Sequence, residues 1–245
     1  MWVTGKIIKR IDWNEKLFTL VIDADIGDFK AGQFIKLSQY ANDKRVARAY
    51  SLVNAENARH LEVLAVTVED GQLSPQLHRL ESGDEIEVSS KAAGFLVLDE
   101  VPAADNLWML ATGTAVGPFI SMLLGQEVWR KYKNIRLAYG ARFQEDLAYK
   151  AHLDEIAAHH SEQFAWQPLI TRENFNGNIQ QRIPQALASE TLQQQLNCSI
   201  SPLNSQVMLC GNPDMISETV ELLKSMGLEK NLRRKPGQIT VEKYW

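Results

Sequence analysis

An arginine, a tyrosine and a serine alternate along one short apolar run, Arg48-Ala49-Tyr50-Ser51-Leu52-Val53. Because successive side chains of a strand point to opposite faces, Arg48 and Tyr50 share one face and Ser51 lies on the other. A guanidinium donates two parallel hydrogen bonds to a pyrophosphate, and a tyrosine ring can stack on a flat heterocycle. The Ser51 hydroxyl can reach a ring nitrogen or the atom that reacts there. A tyrosine in a strand is more often simple packing, so this run gains weight only from further motifs.

A second run, Leu110-Ala111-Thr112-Gly113-Thr114-Ala115-Val116-Gly117-Pro118, follows a predicted strand and opens a predicted helix. Its small residues let a ligand approach the backbone, and the first N–H groups of a helix can bind a phosphate. The run lacks the G-x-G-x-x-G spacing, and no acid ends the next strand to bind a ribose 2′-hydroxyl. Tyr139-Gly140-Ala141-Arg142 stands there instead. The alternative interpretation is a plain tight turn.

Arginines follow successive strand-like segments of the second half of the chain. They are Arg142, Arg172 in Ile170-Thr171-Arg172, and Arg182 in Gln181-Arg182-Ile183. Their equivalent positions favour a phosphorylated ligand, and arginine in place of an acid favours a nucleotide 2′-phosphate. The alternative is a set of solvated surface charges.

Cys210 ends another strand-like segment, directly before Gly211-Asn212-Pro213, where a bound ring could meet it. A lone cysteine is more often an inert core residue. The chain ends on Tyr244-Trp245, although termini are usually solvated. This aromatic pair is either packed into the core or a lid over a flat cofactor.

The composition is that of a globular chain, with 245 residues, 45% hydrophobic, 23% charged and a formal net charge of −4. The acidic balance argues against non-specific nucleic-acid binding. No apolar run approaches the roughly 20 residues that span a bilayer, and Met1–Arg10 lacks an apolar signal segment. The two cysteines, Cys198 and Cys210, cannot hold a four-thiolate cluster, and no spacing indicates a metal site. We therefore expect a cytoplasmic protein with reduced thiols and no metal.

Short strand patterns with glycine punctuation fill the first part of the chain and predict an antiparallel barrel or sandwich. The predicted strands are Val3–Lys9, Leu17–Val21, Gln33–Leu37, Arg45–Leu52, Leu61–Val68 and Glu85–Val88. A short helix is predicted over Ser74–Leu80, with Ser74 as its N-cap and Pro75 at its first position.

Strand and helix patterns alternate after Asp99–Asp105, the predicted linker, which indicates a doubly wound parallel sheet. The predicted strands are Leu107–Ala111, Ile135–Tyr139, Phe164–Ile170, Val207–Cys210 and Gln238–Lys243. The predicted helices are Pro118–Trp129, Leu147–His159, part of Ile183–Leu196 and Asp214–Met226. We place the domains at residues 1–100 and 101–245.

Five of these segments, in this order, resemble the ferredoxin/flavodoxin–NADP⁺ reductase family, and most closely its bacterial single-chain members that end on Tyr-Trp. The segments are Arg48-Ala49-Tyr50-Ser51, Gly71-Gln72-Leu73-Ser74, Gly113-Thr114-Ala115-Val116-Gly117-Pro118, Cys210-Gly211-Asn212-Pro213 and Tyr244-Trp245. The resemblance covers essentially the whole chain. It implies an N-terminal antiparallel β-barrel that binds FAD and a C-terminal α/β parallel-sheet domain that binds NADP.

The resemblance also implies roles on the FAD side. The segment Arg48-Ala49-Tyr50-Ser51 would bind the flavin. Arg48 would bind the pyrophosphate, Tyr50 would flank the isoalloxazine, and Ser51 would lie near the reactive N5. Backbone N–H groups of Leu73 and Ser74 would complete the pyrophosphate site, and Gln72 before them is also an expected FAD-binding residue. Trp245, preceded by Tyr244, would stack on the FAD.

On the NADP side, the resemblance implies that Thr114 lies between the two cofactors. Residues matching the adenylyl and 2′-phosphate side are Ala141, Arg142, Thr171, Arg172 and Arg182. Cys210, Gly211 and Asn212 match the turn that faces the nicotinamide, and Glu242 matches an acidic residue that relays protons near the flavin. Ser51, Cys210 and Glu242 are thus the expected catalytic residues.

The resemblance implies an enzyme that moves electrons between NADPH and the one-electron carriers ferredoxin or flavodoxin through FAD. We expect a monomer that binds such acidic carriers, but neither nucleic acid nor the membrane interior. Lys44, Arg45 and Arg48, or Arg233-Arg234-Lys235, are candidate docking cations. Two alternatives stay open. One is a similar reductase for a monooxygenase, siderophore iron or free flavin, and the other is a nucleotide-binding regulatory module without catalysis.

Overall fold

The computed structural model describes residues 1–41, 44–174 and 177–243. These residues form two compact units. The first is Met1–Val97 together with Gly117–Gly125, and the second is Leu98–Val116 together with the described chain from Gln126 onward. Each unit contains one sheet and its own hydrophobic core.

In the described chain, the first unit contains a six-stranded antiparallel sheet in the order β4-β3-β6-β1-β2-β5. The strands are β1 (Trp2–Asp12), β2 (Leu17–Asp23), β3 (Phe34–Ala41), β4 (Lys44–Ser51), β5 (Leu61–Val66) and β6 (Glu85–Ser89). The first and last strands in this order meet at one end, where Leu52 bridges Val63 and the Val53 N–H donates to the Glu62 carbonyl at 2.8 Å. This contact closes the sheet, so the predicted N-terminal antiparallel barrel is confirmed.

Alternating apolar residues of these strands fill the barrel core. Phe18, Leu20, Ile35 and Leu37 are fully buried. Gly5 lies where β1 passes between β2 and β6, and a Cβ there would sit only 2.9 Å from an Ile22 methyl group. A larger residue at position 5 would therefore force the neighbouring strands apart.

Helix α1 covers only Ser74–Leu77, so the predicted extension to Leu80 is wrong. The prediction of Ser74 as the N-cap is also wrong, since Leu73 holds that position. The physical reason is that the Ser74 hydroxyl accepts a hydrogen bond from the Val68 N–H at 2.9 Å. This bond closes the loop before the helix instead of capping it.

In the described chain, the second unit contains a five-stranded parallel sheet in the order β11-β10-β7-β8-β9. The strands are β7 (Asn106–Thr112), β8 (Asn134–Ala141), β9 (Phe164–Ile170), β10 (Ser205–Gly211) and β11 (Ile239–Lys243). All of β10 and nearly all of β7 are buried, as expected for strands that are covered on both faces. The predicted parallel α/β domain is confirmed.

Most of the helices that follow α1 are shorter than predicted, whereas the last one has its predicted length and is shifted by one residue. These helices are α2 (Gly117–Leu124), α3 (Glu127–Lys131), α4 (Lys150–His159), α5 (Ile183–Ala188), α6 (Thr191–Gln195) and α7 (Pro213–Ser225). The single helix predicted over Pro118–Trp129 is wrong, because the Gly125 N–H turns back to the Met122 carbonyl at 3.1 Å and ends α2. Tyr149 and Glu190 have φ of 60° and 61°, so α4 starts later than predicted and α5 and α6 are separate.

The start of the second unit is held against its own α3. Lys131 Nζ donates to the Val101 carbonyl at 2.7 Å and also to the carbonyl of Leu98. Val101 itself is buried. In the described part of the chain, no helix has both the length and the apolar character needed to cross a membrane.

Candidate functional site

Strand β4, at one end of the strand order of the barrel sheet, carries the Arg48–Ser51 run. It pairs with β3 along its length, with Arg48 opposite Leu37 and Tyr50 opposite Ile35. Paired residues of an antiparallel ladder share a face, so Arg48 lies beside Leu37 and Tyr50 lies beside Ile35. A flat ligand that meets Tyr50 therefore lies on the same face as a guanidinium.

Arg48 offers its guanidinium to solvent. Its Nη1 donates to the carbonyl of Ala47 at 2.8 Å, and within the described chain it forms no ion pair. Arg45, on the same strand, is engaged differently: it contacts Glu87 at 3.1 Å and the Tyr40 hydroxyl at 2.8 Å. Arg48 is thus the better placed of the two arginines to bind a phosphate.

Tyr50 is half-buried against the barrel core, and exposed Ala49 precedes it. Burial raises the pKa of the Tyr50 phenol to about 12, although the nearby Arg48 charge opposes the shift. The ring is therefore neutral at physiological pH, which suits stacking on a heterocycle. Ser51 is buried, on the opposite face of the strand.

The turn before α1 presents backbone donors. In the part of the chain that the structure describes, no acceptor meets the N–H groups of Gln72, Leu73 or Ser74. A Cβ at Gly71 would sit 2.9 Å from the Val68 carbonyl oxygen, so this tight loop requires glycine. Free donors of this kind fit an oxygen-rich group such as a pyrophosphate.

In the second unit, the ends of β7 and β10 are locked together. The Asn212 N–H donates to the Thr112 hydroxyl at 2.9 Å, and Gly211 has φ of 138°. A Cβ at Gly211 would come within 2.1 Å of that hydroxyl oxygen. The Asn212 side chain then caps α7 by accepting from the N–H groups of Asp214 and Met215.

Cys210 is fully buried beside these residues in β10. Burial raises the pKa of its thiol well above the usual range, and the Glu242 charge raises it further. Cys210 pairs with Glu242 across β10 and β11, so these two predicted catalytic residues are neighbours. Both cysteines are free, as predicted, and Cys210 carries a neutral thiol at physiological pH.

Thr114 lies in the short turn Gly113–Val116 after β7 and is buried. Gly113 has φ of 58°, and a Cβ there would have nothing within 4 Å. The turn therefore leaves open space beside its backbone, as a bound ligand would require.

The predicted adenylyl residues meet at the carboxyl ends of β8 and β9. The Thr171 N–H donates to the Ala141 carbonyl at 3.3 Å, and the Arg172 N–H donates to the Arg142 carbonyl at 3.0 Å. Thr171 and both arginines are exposed. The side chains of Arg142 and Arg172 thus both start from hydrogen-bonded backbone segments at one end of the sheet.

Arg182 precedes α5 and is differently placed, because its Nη2 lies 2.9 Å from the Glu218 carboxylate of α7. Sequence reasoning missed Glu218 and Thr112. Thr112 could have been found as the last polar residue before the Gly113 turn. Glu218 has no local signal, because 36 residues separate it from Arg182.

Tyr244 and Trp245, which are predicted to contact the flavin, lie outside the described residues, so their roles stay predictions. Among the described residues, no group of three or more His, Cys, Asp or Glu side chains could hold a metal ion. In the first unit, Arg48, Tyr50 and the free donors of residues 72–74 fit a flavin nucleotide.

Comparisons with known proteins support this interpretation of both units. Residues 6–95 match the oxidoreductase FAD-binding domain family, and residues 109–221 match the oxidoreductase NAD-binding domain family. A flavodoxin/ferredoxin–NADP reductase of Escherichia coli (strain K12) is 45% identical, over 100% of this chain and 99% of the relative. One from Buchnera aphidicola subsp. Baizongia pistaciae is 42% identical over the same shares of the two chains.

A solved structure shows the same architecture. A ferredoxin NADP⁺ reductase from Neisseria gonorrhoeae, crystallised with bound FAD and NADP, superimposes with a TM-score of 0.94 at 33% identity. The match covers 99% of this chain and 98% of that chain. Full-length similarity to the bacterial enzymes, a match in each half and the shared fold agree with one another. The chain therefore belongs to the flavodoxin/ferredoxin–NADP reductase family.

Proposed function

We propose that this chain moves electrons between NADPH and flavodoxin or ferredoxin through bound FAD, with the residues described above holding the two nucleotides. The observation that carries the residue-level proposal is the exposed Arg48 guanidinium on the same strand face as the half-buried Tyr50 ring. Along β4, the positive charge of Arg48 for a phosphate is followed by the neutral Tyr50 ring for a flat ring system.

FAD, when bound, takes up an electron pair as hydride and releases electrons singly. The chain contributes binding and electrostatics. Arg48 offsets the pyrophosphate charge, and the turn at residues 72–74 donates backbone hydrogen bonds to it. Tyr50 orients the ring system without adding charge, because its phenol keeps its proton. Ser51 would supply a hydroxyl group toward the reactive part of the bound ring.

In the second unit, the Cys210–Asn212 turn receives the nicotinamide. The thiol of Cys210, which is fully buried in this structure and neutral, would supply a polarisable group to that ring once the nucleotide binds. Glu242, opposite Cys210 in the sheet, is the proposed site of proton uptake and release. We place the FAD-binding domain at residues 1–100 and the NADP-binding domain at residues 101–245.

The preference for NADPH over NADH rests on the charged edge formed by Arg142, Thr171, Arg172 and Arg182. Arginine binds a 2′-phosphate by charge-assisted hydrogen bonds and gains nothing comparable from a 2′-hydroxyl. Ala141 adds a small, half-buried position that leaves room for the adenosine.

The carrier proteins are proposed to dock through exposed arginines. Arg233 and Arg234 form the tip of a tight turn that Leu232 and Lys235 close with paired backbone hydrogen bonds at 2.9 and 3.0 Å. Arg45, by contrast, is engaged within the barrel, which favours the turn as the docking point. We further propose that the chain acts as a monomer in the cytoplasm.

The test replaces Arg48 with alanine and uses Arg45→Ala as the matched control. Loss of charge-assisted bonds costs roughly 1.5–3 kcal/mol, so Arg48→Ala should bind FAD about 10- to 150-fold more weakly. FAD affinity is measured by titrating the apoprotein and following flavin fluorescence. Arg45→Ala removes the same charge from the same strand and should alter FAD affinity far less.

Equal FAD affinity for Arg48→Ala and the unmodified protein would contradict the proposed phosphate contact. The activity is tested separately by stopped-flow reduction with NADPH, followed by addition of ferredoxin or flavodoxin in parallel. Reoxidation of the reduced enzyme by neither carrier, but by free flavin or ferric siderophore, would indicate a different acceptor.

A further inference from the structure

The ion pair between Arg182 and Glu218 is an unusual feature of the nucleotide edge. Arg182 Nη2 and Glu218 Oε1 lie 2.9 Å apart, and both side chains are 47% exposed. The contact uses one N–H of a guanidinium that has five donors, so other donors of Arg182 stay open to a ligand. A 2′-phosphate on Arg182 would then share the guanidinium with a carboxylate.

The other two arginines of this edge lack such a partner. Within the described residues, neither Arg142 nor Arg172 forms an ion pair with a carboxylate. Glu218 thus places a negative charge beside one of three cations that are proposed to attract a phosphate dianion. The charge does not stabilise the fold strongly, because exposed ion pairs contribute little.

We propose that Glu218 is a positioning residue that limits the affinity of Arg182 for the nucleotide 2′-phosphate. This inference rests on the proposed role of Arg182 in binding that phosphate. Glu218 holds the guanidinium in place in the free protein and repels the phosphate once it is bound. The pair thereby weakens NADP⁺ binding, which favours release of the oxidised nucleotide after each turnover.

The direction of the effect follows from comparing the two contributions of Glu218. A glutamine at position 218 keeps an amide oxygen that can accept from Arg182, so most of the orientation is kept. The substitution removes the repulsion between a carboxylate and a phosphate dianion a few ångströms away. In water, at a separation of about 6 Å, this repulsion corresponds to about a tenfold change in affinity without salt, and screening at about 0.15 M ionic strength reduces it to about threefold.

The test compares Glu218→Gln with Glu221→Gln. Glu221 lies on the same helix and pairs with Lys224 at 2.8 Å, so its substitution removes the same charge without touching Arg182. The probes are adenosine 2′-monophosphate and adenosine 5′-monophosphate, titrated calorimetrically into the FAD-loaded protein. Only the first probe carries the phosphate that Arg182 is proposed to bind.

At about 0.15 M ionic strength, we expect Glu218→Gln to bind adenosine 2′-monophosphate about threefold more tightly than Glu221→Gln, with no change for the 5′-isomer. The difference should shrink as salt is raised from 20 to 500 mM, in line with a screening length of about 8 Å near 0.15 M. In turnover, KM for NADPH should fall without a matching rise in kcat. The same affinity for both variants, or weaker binding by Glu218→Gln, would overturn the inference.

Arg182→Gln separates this inference from the proposal on which it depends. If Arg182→Gln leaves affinity for the 2′-probe unchanged, the role of Arg182 is wrong and the role of Glu218 fails with it. If Arg182→Gln weakens binding while Glu218→Gln equals Glu221→Gln, only the inference about Glu218 fails. In the Arg182→Gln background, the benefit of Glu218→Gln should disappear.

Discussion

Replacing Gly211 with alanine should damage the proposed nicotinamide turn more than any ordinary loop substitution. Gly211 has φ of 138°, and a Cβ there would lie 2.1 Å from the Thr112 hydroxyl oxygen and 3.1 Å from its backbone nitrogen. Backbone strain of this kind costs about 1–3 kcal/mol for a residue with a Cβ. Displacement of Thr112 also breaks its hydrogen bond to the Asn212 N–H, worth about 0.5–1.5 kcal/mol.

Together these effects predict a loss of about 3 kcal/mol in the free energy of unfolding. For domains of this size, such a loss lowers Tm by roughly 6–12 °C. The assay is thermal unfolding of the FAD-loaded protein, followed by circular dichroism. KM for NADPH should also rise, because Cys210 and Asn212 move with the displaced turn.

Gly227→Ala is the matched control for this prediction. Gly227 also has a positive φ, 88°, in the same unit, but a Cβ there would meet only Pro202 at an ordinary 3.5 Å. It therefore carries the strain without the collision, and we expect it to lose about 1 kcal/mol. If Gly211→Ala lost no more stability than Gly227→Ala, the argument from the Thr112 contact would be refuted.

Two further predictions concern stability. Burial raises the pKa of the Cys210 thiol and of the Tyr139 phenol. The unfolded chain loses these protons near pH 8.5 and 10, while the folded chain keeps them, so unfolding free energy should fall as pH rises above about 8.5. Cys210→Ala and Tyr139→Phe should each flatten that decline in urea titrations from pH 7 to 11, and unchanged slopes would contradict the assignment. Ser121→Ala should cost about 1–2 kcal/mol, because the buried Ser121 hydroxyl donates to the Asn54 carbonyl at 2.6 Å. Exposed Ser217→Ala should change the urea midpoint by far less, and equal losses would show that the Ser121 bond is unimportant.

Local chemistry was sufficient to predict the architecture of this chain. The change from closely spaced strands to alternating strands and helices predicted the two sheets, because the apolar period of each element depends on near neighbours in the chain. The strand Phe164–Ile170 was predicted to the residue. The Arg48–Ser51 run and the turn at residues 210–212 were also visible, since each concentrates its chemistry in a few consecutive residues, whereas the turn at residues 72–74 was implied only by the family resemblance.

Tertiary structure alone decided which of these charged residues form ion pairs within the chain and which can bind a ligand. Arg45 and Arg48 look alike in the sequence and are both exposed, yet Arg45 pairs with Glu87 while Arg48 forms no ion pair in the described chain. Contacts between segments far apart in the sequence, such as that of Arg182 with Glu218, leave no signal in the residues around either partner. Helix ends differed from prediction for the same reason, because backbone turns at single residues such as Tyr149 outweigh helical propensity. Sequence periodicity therefore determined the strands and helices, and long-range packing determined which charged side chains of the site are paired and what backbone geometry the site has.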